Sequence, residues 1–219
     1  MTPGVRLILL GKQGAGKGTQ CVQLSRHYVV PHISTGDMFR AAMKSSTEMG
    51  KVARTFVDAG KLVPDEVVIG IVAERLSEKD ARGRGFILDG FPRTVNQAKA
   101  LTKILAPVRL DIVVDLEVDT SMVLARLASR RVCSSCGHNY SVQQPPKFNW
   151  NCDHCGGEVV QRDDDKAEAI QTRLDLYESQ TRPLIEHYTG EGLLHEVDGS
   201  KPMEYVFTAI CRAIDDRRG

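Results

Sequence analysis

The 219 residues carry 29 basic and 28 acidic side chains, a net charge of +1, with 42% hydrophobic residues, which is enough for one large domain with a sizeable core. This balance excludes a general surface for nucleic acid or an anionic membrane, so phosphate recognition has to come from local cations. No apolar run reaches transmembrane length and the first apolar segment is too short for a leader, so a cytoplasmic protein is expected.

Val5-Arg6-Leu7-Ile8-Leu9-Leu10 reads as a buried strand, and Gly11-Lys12-Gln13-Gly14-Ala15-Gly16-Lys17-Gly18-Thr19 follows it directly. A glycine-rich turn after a strand lets successive backbone N–H groups converge on one anion. Glycine is needed where a Cβ would forbid the backbone angles or the close approach of a polyphosphate. Lys17 adds a point charge. Cys21, Leu24 and Tyr28 at helical spacing predict a helix from Gly18, whose positive end faces the same anion. The run fits G-x-x-x-x-G-K, with Gly18 where the general motif has Ser or Thr and with Thr19 one residue later.

The stretch from Ser34 to about Val63 is polar with a helical pattern, and a helix is predicted from Val67 to Leu76. A strand from Gly85 to Leu88 runs into Asp89-Gly90-Phe91-Pro92-Arg93. A carboxylate at the end of an apolar strand facing a phosphate loop is placed to hold Mg²⁺ or its waters, the plainer role being a turn cap. A helix from Thr94 to Leu105, a strand from Asp111 to Leu116 and a helix from Thr120 to Arg131 follow, with Arg126 and Arg130 on one helix face.

Between about Arg130 and Asp164 the alternation breaks. Cys133-x-x-Cys136 and Cys152-x-x-Cys155 have the spacing of a four-thiolate zinc site, in a segment with too few apolar residues for a core of its own. A dithiol redox pair or two disulfides are the alternatives. His138 and His154 stand near enough to replace a cysteine, and four thiolates are preferred. Asp163-Asp164-Asp165 suit the positive end of a helix running from Lys166 to Tyr188, and Leu193 to Val197 is the last strand. Cys21 and Cys211 read as core thiols, and none of the six histidines is assigned to a site. Strand and helix in alternation imply a parallel sheet covered on both faces. Arg40, Arg93, Arg126, Arg130, Arg131, Arg162 and Arg173 recur at turns and element ends, as a clamp for a transferring phosphoryl group requires.

With these motifs the chain resembles adenylate kinase in its long form, with a zinc-bearing lid. The likeness is carried by Gly11 to Thr19, Ser34-Thr35-Gly36-Asp37-Met38-Phe39-Arg40, Gly60-Lys61-Leu62-Val63-Pro64-Asp65-Glu66, Asp89 to Thr94, Arg130-Arg131-Val132-Cys133 and Arg162-Asp163-Asp164. It implies an α/β P-loop nucleoside monophosphate kinase fold with a five-stranded parallel sheet. The core would be 1–33, 64–129 and 166–219, with a monophosphate-binding insertion at 34–63 and a zinc lid at 130–165.

Carried over by position, Gly14, Ala15, Gly16, Lys17, Gly18 and Thr19 would cradle ATP phosphates. Arg126, Arg130, Asn139, Tyr140 and Lys201 would also meet ATP. Thr35, Arg40, Lys61, Leu62, Val63, Gly90, Phe91, Pro92, Arg93 and Gln97 would bind AMP, and Arg162 and Arg173 would bridge the phosphates. Catalysis would fall to Lys17, Arg93, Arg130, Arg162, Arg173 and Asp89. Asp37 and Asp89 would orient magnesium-bound water, and Cys133, Cys136, Cys152 and Cys155 would hold structural Zn²⁺. The partners implied are ATP and AMP, or ADP, for a cytoplasmic monomer without nucleic acid or membrane. Gln13 departs from the family, whose loop has proline there: glutamine leaves the loop less restrained and adds a donor. A kinase of the same fold using GTP or another monophosphate is the near alternative, and a zinc-ribbon NTPase that binds nucleic acid is the remote one.

Overall fold

The computed structural model describes residues 4–44, 51, 54–56, 61–165 and 167–218. Of the expected insertion at 34–63, residues 45–50, 52, 53 and 57–60 lie outside these, as does Lys166, the expected start of a helix. The strands are β1 (Arg6–Leu10), β2 (His32–Ser34), β3 (Phe86–Asp89), β4 (Ile112–Glu117), β5 (Arg130–Cys133), β6 (Asn139–Ser141), β7 (Val159–Val160) and β8 (Leu194–Asp198). The helices are α1 (Lys17–Tyr28), α2 (Thr35–Lys44), α3 (Asp65–Ser77), α4 (Lys79–Arg84), α5 (Val95–Leu105), α6 (Thr120–Ser129), α7 (Ala167–Leu176), α8 (Pro183–Gly190) and α9 (Met203–Asp216).

Five strands form one parallel sheet in the order β2-β3-β1-β4-β8, as expected. The three inner strands, β3, β1 and β4, are short and mostly apolar because both faces are covered, whereas the edge strands β2 and β8 carry more polar residues. Along β1, Leu7 and Leu9 pack into one cluster with Cys21 and Leu24 of α1 and Val206 and Ile210 of α9. Ile8 and Leu10 point the other way, into a cluster with Val72 of α3, Leu101 of α5 and Leu184 of α8. This period-two alternation divides one run of leucine and isoleucine between two hydrophobic layers. The carboxyl ends of β1 and β3, where the phosphate loop and Asp89 begin, therefore lie side by side, with Leu9 paired to Asp89.

The helix expected to reach Arg131 ends at Ser129, because Arg130 is extended (φ −62°, ψ 137°) and opens β5. The helix expected from Lys166 to Tyr188 is two: α7 passes into a π turn at Tyr177–Thr181, and Pro183, which lacks an N–H, starts α8. β5 pairs antiparallel with β6 and β7 in a separate three-stranded sheet that carries the cysteines. Among the described residues no helix is long and apolar enough to cross a membrane.

Candidate active site

The phosphate loop closes with Ala15 N–H donating to the Lys12 carbonyl at 3.1 Å, and α1 starts after Gly16. Gly14 has φ +79°, and a Cβ there would stand 3.2 Å from the Val123 carbonyl and 3.0 Å from Leu127, so the loop lies against α6 only because this residue is glycine. Gly16, at the N-cap of α1, has no side chain to cap it and the first turn has no acid, which suits the leading N–H groups to an anion. Lys17 Nζ donates to the carbonyls of Gly11 (2.7 Å) and Lys12 (2.8 Å). Burial lowers its pKa to about 8; Asp89 opposes that shift, while Arg93 and Arg173 add to it.

The two residues before Gly14 fasten this loop to its surroundings. Lys12 Nζ donates to Thr120 Oγ1 at 2.9 Å and pairs with Glu178 of the π turn at 3.2 Å. The donor introduced by Gln13 is used: Nε2 reaches the Ile170 carbonyl of α7 at 3.2 Å. Arg126 donates to the carbonyls of Ala15 (3.2 Å) and Gly199 (3.1 Å), so its guanidinium braces the loop against the segment after β8. Lys201 pairs with Asp198 at 3.3 Å in that segment.

Asp89 ends β3 beside the loop. Burial alone would raise its carboxyl, but the His32 ring, the Lys17 ammonium and Arg93 outweigh it and hold the group below the usual carboxylate range. Thr35 Oγ1 donates to the Gly90 carbonyl at 2.9 Å, and Arg93 Nε donates to the same carbonyl at 2.8 Å. Gln97 accepts from Arg93 N–H at 2.8 Å and donates to Asp65 at 2.7 Å, while Thr94 caps α5. Thr35, Arg40, Lys61, Leu62, Val63, Gly90, Arg93 and Gln97, all expected on the acceptor side, line one cleft that also reaches Asp164 and Arg173. Phe91 and Pro92, also expected there, are buried and do not line that cleft. The Asp37 carboxylate is paired with Arg40.

The arginines expected to form a clamp are organised by two acids to which the sequence reading gives no site role. Asp164 takes Arg162 in a two-point bond (2.8 and 2.6 Å) and Arg173 at 3.0 Å. Asp165, buried, takes Arg130 in the same forked way. Burial would raise the Asp164 carboxyl, but Arg173 and Arg162 overcome this and hold it far below the usual range. Burial lowers Arg173 to about 10, with Asp164 opposing it. Thr181 Oγ1 donates to the Arg93 carbonyl at 3.0 Å, so the α7 to π-turn segment touches phosphate loop, clamp and acceptor loop at once. His32 and Thr181 stand at this candidate site with no signal in the residue patterns, and Lys12, Asp164 and Asp165 fall inside quoted motifs without a site role of their own. Only the adjacency of Arg162 to its acids gives a local signal.

In the lid, Cys133 and Cys155 sulfurs lie 3.5 Å apart, as do those of Cys136 and Cys152, and all four fall within 4.8 Å of one another. A tetrahedral zinc–thiolate site has S···S edges of about 3.8 Å, whereas a disulfide bond is about 2.0 Å, so the residues fit a metal and not a pair of disulfides. Backbone N–H groups of Ser135 and His154 point at Cys133 and Cys152 sulfur, each at 3.4 Å. The Tyr140 hydroxyl donates to Cys152 at 3.4 Å and accepts from Asp153 N–H at 2.8 Å; Asn139 is exposed. The rings of His138 and His154 lie 4.0 Å apart, outside the four-sulfur group.

A model of the adenylate kinase family matches residues 9–193. The chain belongs to the adenylate kinase family. Its adenylate kinase relatives include that of Desulfitobacterium hafniense, 51% identical over 214 residues (96% of this chain, 98% of the relative). That of Listeria monocytogenes is 50% identical over 209 residues (94% and 97%), and that of Lachnospira eligens 46% over 213 residues (96% and 100%). The likeness to adenylate kinases thus spans both the sheet and the cysteine-bearing segment.

Proposed function

We propose that this adenylate kinase transfers the γ-phosphoryl group of Mg·ATP directly to a phosphate oxygen of AMP, giving two ADP. The attacking oxygen forms its bond to the γ-phosphorus as the bond to the β–γ bridging oxygen breaks. The acceptor is already ionised near neutral pH, so no general base is needed and the residues act by positioning and by neutralising charge. The observation that carries this reading is the cleft in which acceptor-side residues from Thr35 to Gln97 meet Arg173 and Asp164.

In this reading the N–H groups of Gly14 to Thr19 and the Lys17 ammonium hold the donor phosphates, with Arg130, Asn139, Tyr140 and Lys201 on the ATP side and Arg126 acting by bracing the loop. Thr35, Arg40, Lys61 to Val63, Gly90 to Arg93 and Gln97 hold AMP. Arg162 and Arg173, aligned by Asp164, span the transferring group. Mg²⁺, when bound, neutralises phosphate charge, and Asp89 is the carboxylate available to orient its waters; Asp37 does so only by leaving Arg40. The segments 34–63 and 130–165 close over the substrates to exclude water as a competing nucleophile. Lys44 of the first already reaches the Ser134 carbonyl of the second at 3.5 Å. Zinc on Cys133, Cys136, Cys152 and Cys155 is structural, because four thiolates leave no open position for substrate. A cytoplasmic monomer without nucleic-acid partners is supported by family likeness and by the +1 charge.

Phosphorus NMR of the protein with Mg·ATP and AMP, UMP, CMP, GMP or no acceptor tests the assignment, with GTP as a second donor. ADP forming rapidly with AMP alone is the expected outcome. Equal phosphate release in every tube means an ATPase and removes the acceptor-side roles.

A further inference from the structure

A second group of metal-ligating atoms lies outside the lid. Cys21 of α1, His32 of β2 and Asp89 at the end of β3 bring a thiol, a ring nitrogen and a carboxylate oxygen within 4.8 Å of one another. His32 Nε2 stands 3.4 Å from Asp89 Oδ2 without hydrogen-bond alignment, and this buried nitrogen has no hydrogen-bond partner among the described residues. Tetrahedral zinc with nitrogen and oxygen ligands at about 2.05 Å requires an N···O edge of about 3.4 Å, which this pair already has. One sulfur, one imidazole and one carboxylate suit a borderline-soft ion, and suit Mg²⁺ poorly. Gly18 keeps one approach open: a Cβ there would stand 3.7 Å from Asp89 Oδ2.

We propose that Cys21, His32 and Asp89 form a second divalent-metal site, for a thiophilic ion such as Zn²⁺, and that its occupation inhibits phosphoryl transfer. The ion takes Cys21 as thiolate, whose proton goes to solvent, together with the neutral His32 nitrogen and one Asp89 oxygen. A water or a phosphate oxygen from the loop side completes four-coordination. The inhibition rests on the reading of Asp89 above, since an oxygen committed to this ion no longer serves the Mg-bearing phosphates. The two metal groups differ in kind: the lid sulfurs close their site, whereas this one has three ligands and an open position.

The test is calorimetric titration of zinc, without nucleotide, into protein that has already bound one equivalent, comparing wild type with Cys21→Ala and His32→Gln. Wild type is expected to take a further equivalent. Each variant should weaken that event at least about tenfold, since loss of mere outer-shell support to a metal ligand already costs that much. No further uptake by wild type, or equal affinity in all three proteins, overturns the site whatever Asp89 does. Turnover is then followed at fixed Mg·ATP and AMP with zinc held by a metal buffer. Cys21→Ala should keep its basal activity and resist zinc that inhibits wild type. Zinc that binds at this site yet leaves wild-type turnover intact overturns the inhibition and the placing of Asp89 at the magnesium-bearing phosphates, while the site itself stands.

Discussion

The sheet and the lid are held together by opposite means. Leu7, Ile8, Ile87, Leu88, Val113 and Val114 are fully buried between two helical layers, and transfer of such side chains from water stabilises the sheet by about 1.5–3 kcal/mol each. The lid's buried cluster among the described residues is Cys133, Cys152 and Val159 with Tyr140 against it, and its Phe148 remains 76% exposed. On the proposed reading, zinc on the four sulfurs would give a segment with so little apolar burial its fixed shape, because the binding energy of such a metal is also folding energy. The site between them inherits both properties: Asp89 ends a strand of the apolar sheet and Lys17 and Arg93 follow its strands in helix and loop, whereas Arg130 and Arg162 stand at the lid's two ends.

The sharpest way to break this contrast is to injure each side in turn. Leu88→Ala, in the middle of the sheet, should cost about 2–5 kcal/mol and lower the melting of the whole chain, with or without zinc. Replacing Cys133 and Cys136 together by serine should have the smaller, local effect. Hydrogen exchange should rise across 130–165 and the melting temperature fall, while β1 and β3 amides stay protected. Unchanged melting, with no metal found in the wild type, would remove zinc from the account of the lid.

The sequence exposes what is local and periodic. The phosphate loop is legible because strand, glycines, lysine and helix are consecutive, and the lid because cysteine pairs mark their own turns. β2 is missed because three residues, His32-Ile33-Ser34, have no period; pairing with β3 makes them a strand. Thr120 to Arg131 keeps its helical pattern past the true end, since Arg130 extends to pair with Ser141 across the lid sheet. The acids at 164 and 165 precede a helix, which is a sufficient local reason for them. Their larger role depends on Arg173 and Arg130, nine and 35 residues away.

Those acids give a prediction that joins the two regions. Asp164→Asn should lower turnover about 10- to 100-fold with smaller changes in nucleotide binding, because Arg162 and Arg173 lose the charge that aligns them. Its stability effect has a definite sign with pH. The folded carboxyl is depressed, so its contribution is present above the unfolded pKa near ~3.9 and lost as pH falls toward the folded value. The melting difference between wild type and Asp164→Asn should be level from about pH 8 to about 5 and close below about 4; a gap that persists in acid assigns the loss to packing.

Gln13→Pro is the mildest change and the one that asks where the phosphate loop is anchored. Proline restores a restraint on one backbone angle but deletes both the residue's N–H and the amide that reaches Ile170. That hydrogen bond is neutral and partly exposed, so its loss should cost about 1 kcal/mol, offset in part by the entropy removed from the unfolded chain. Lys12 keeps its hold on Thr120 and Glu178, so the loop retains a tie to the π turn. Turnover should stay within about tenfold, each 1.4 kcal/mol being one factor of ten. Abolished activity would mean that Gln13, and not the glycine frame around it, sets the loop's shape. In a double-mutant cycle, Lys12→Met combined with Gln13→Pro should lose more than the sum of the single changes if the two side chains are alternative anchors of the same loop on the segment bearing Arg173.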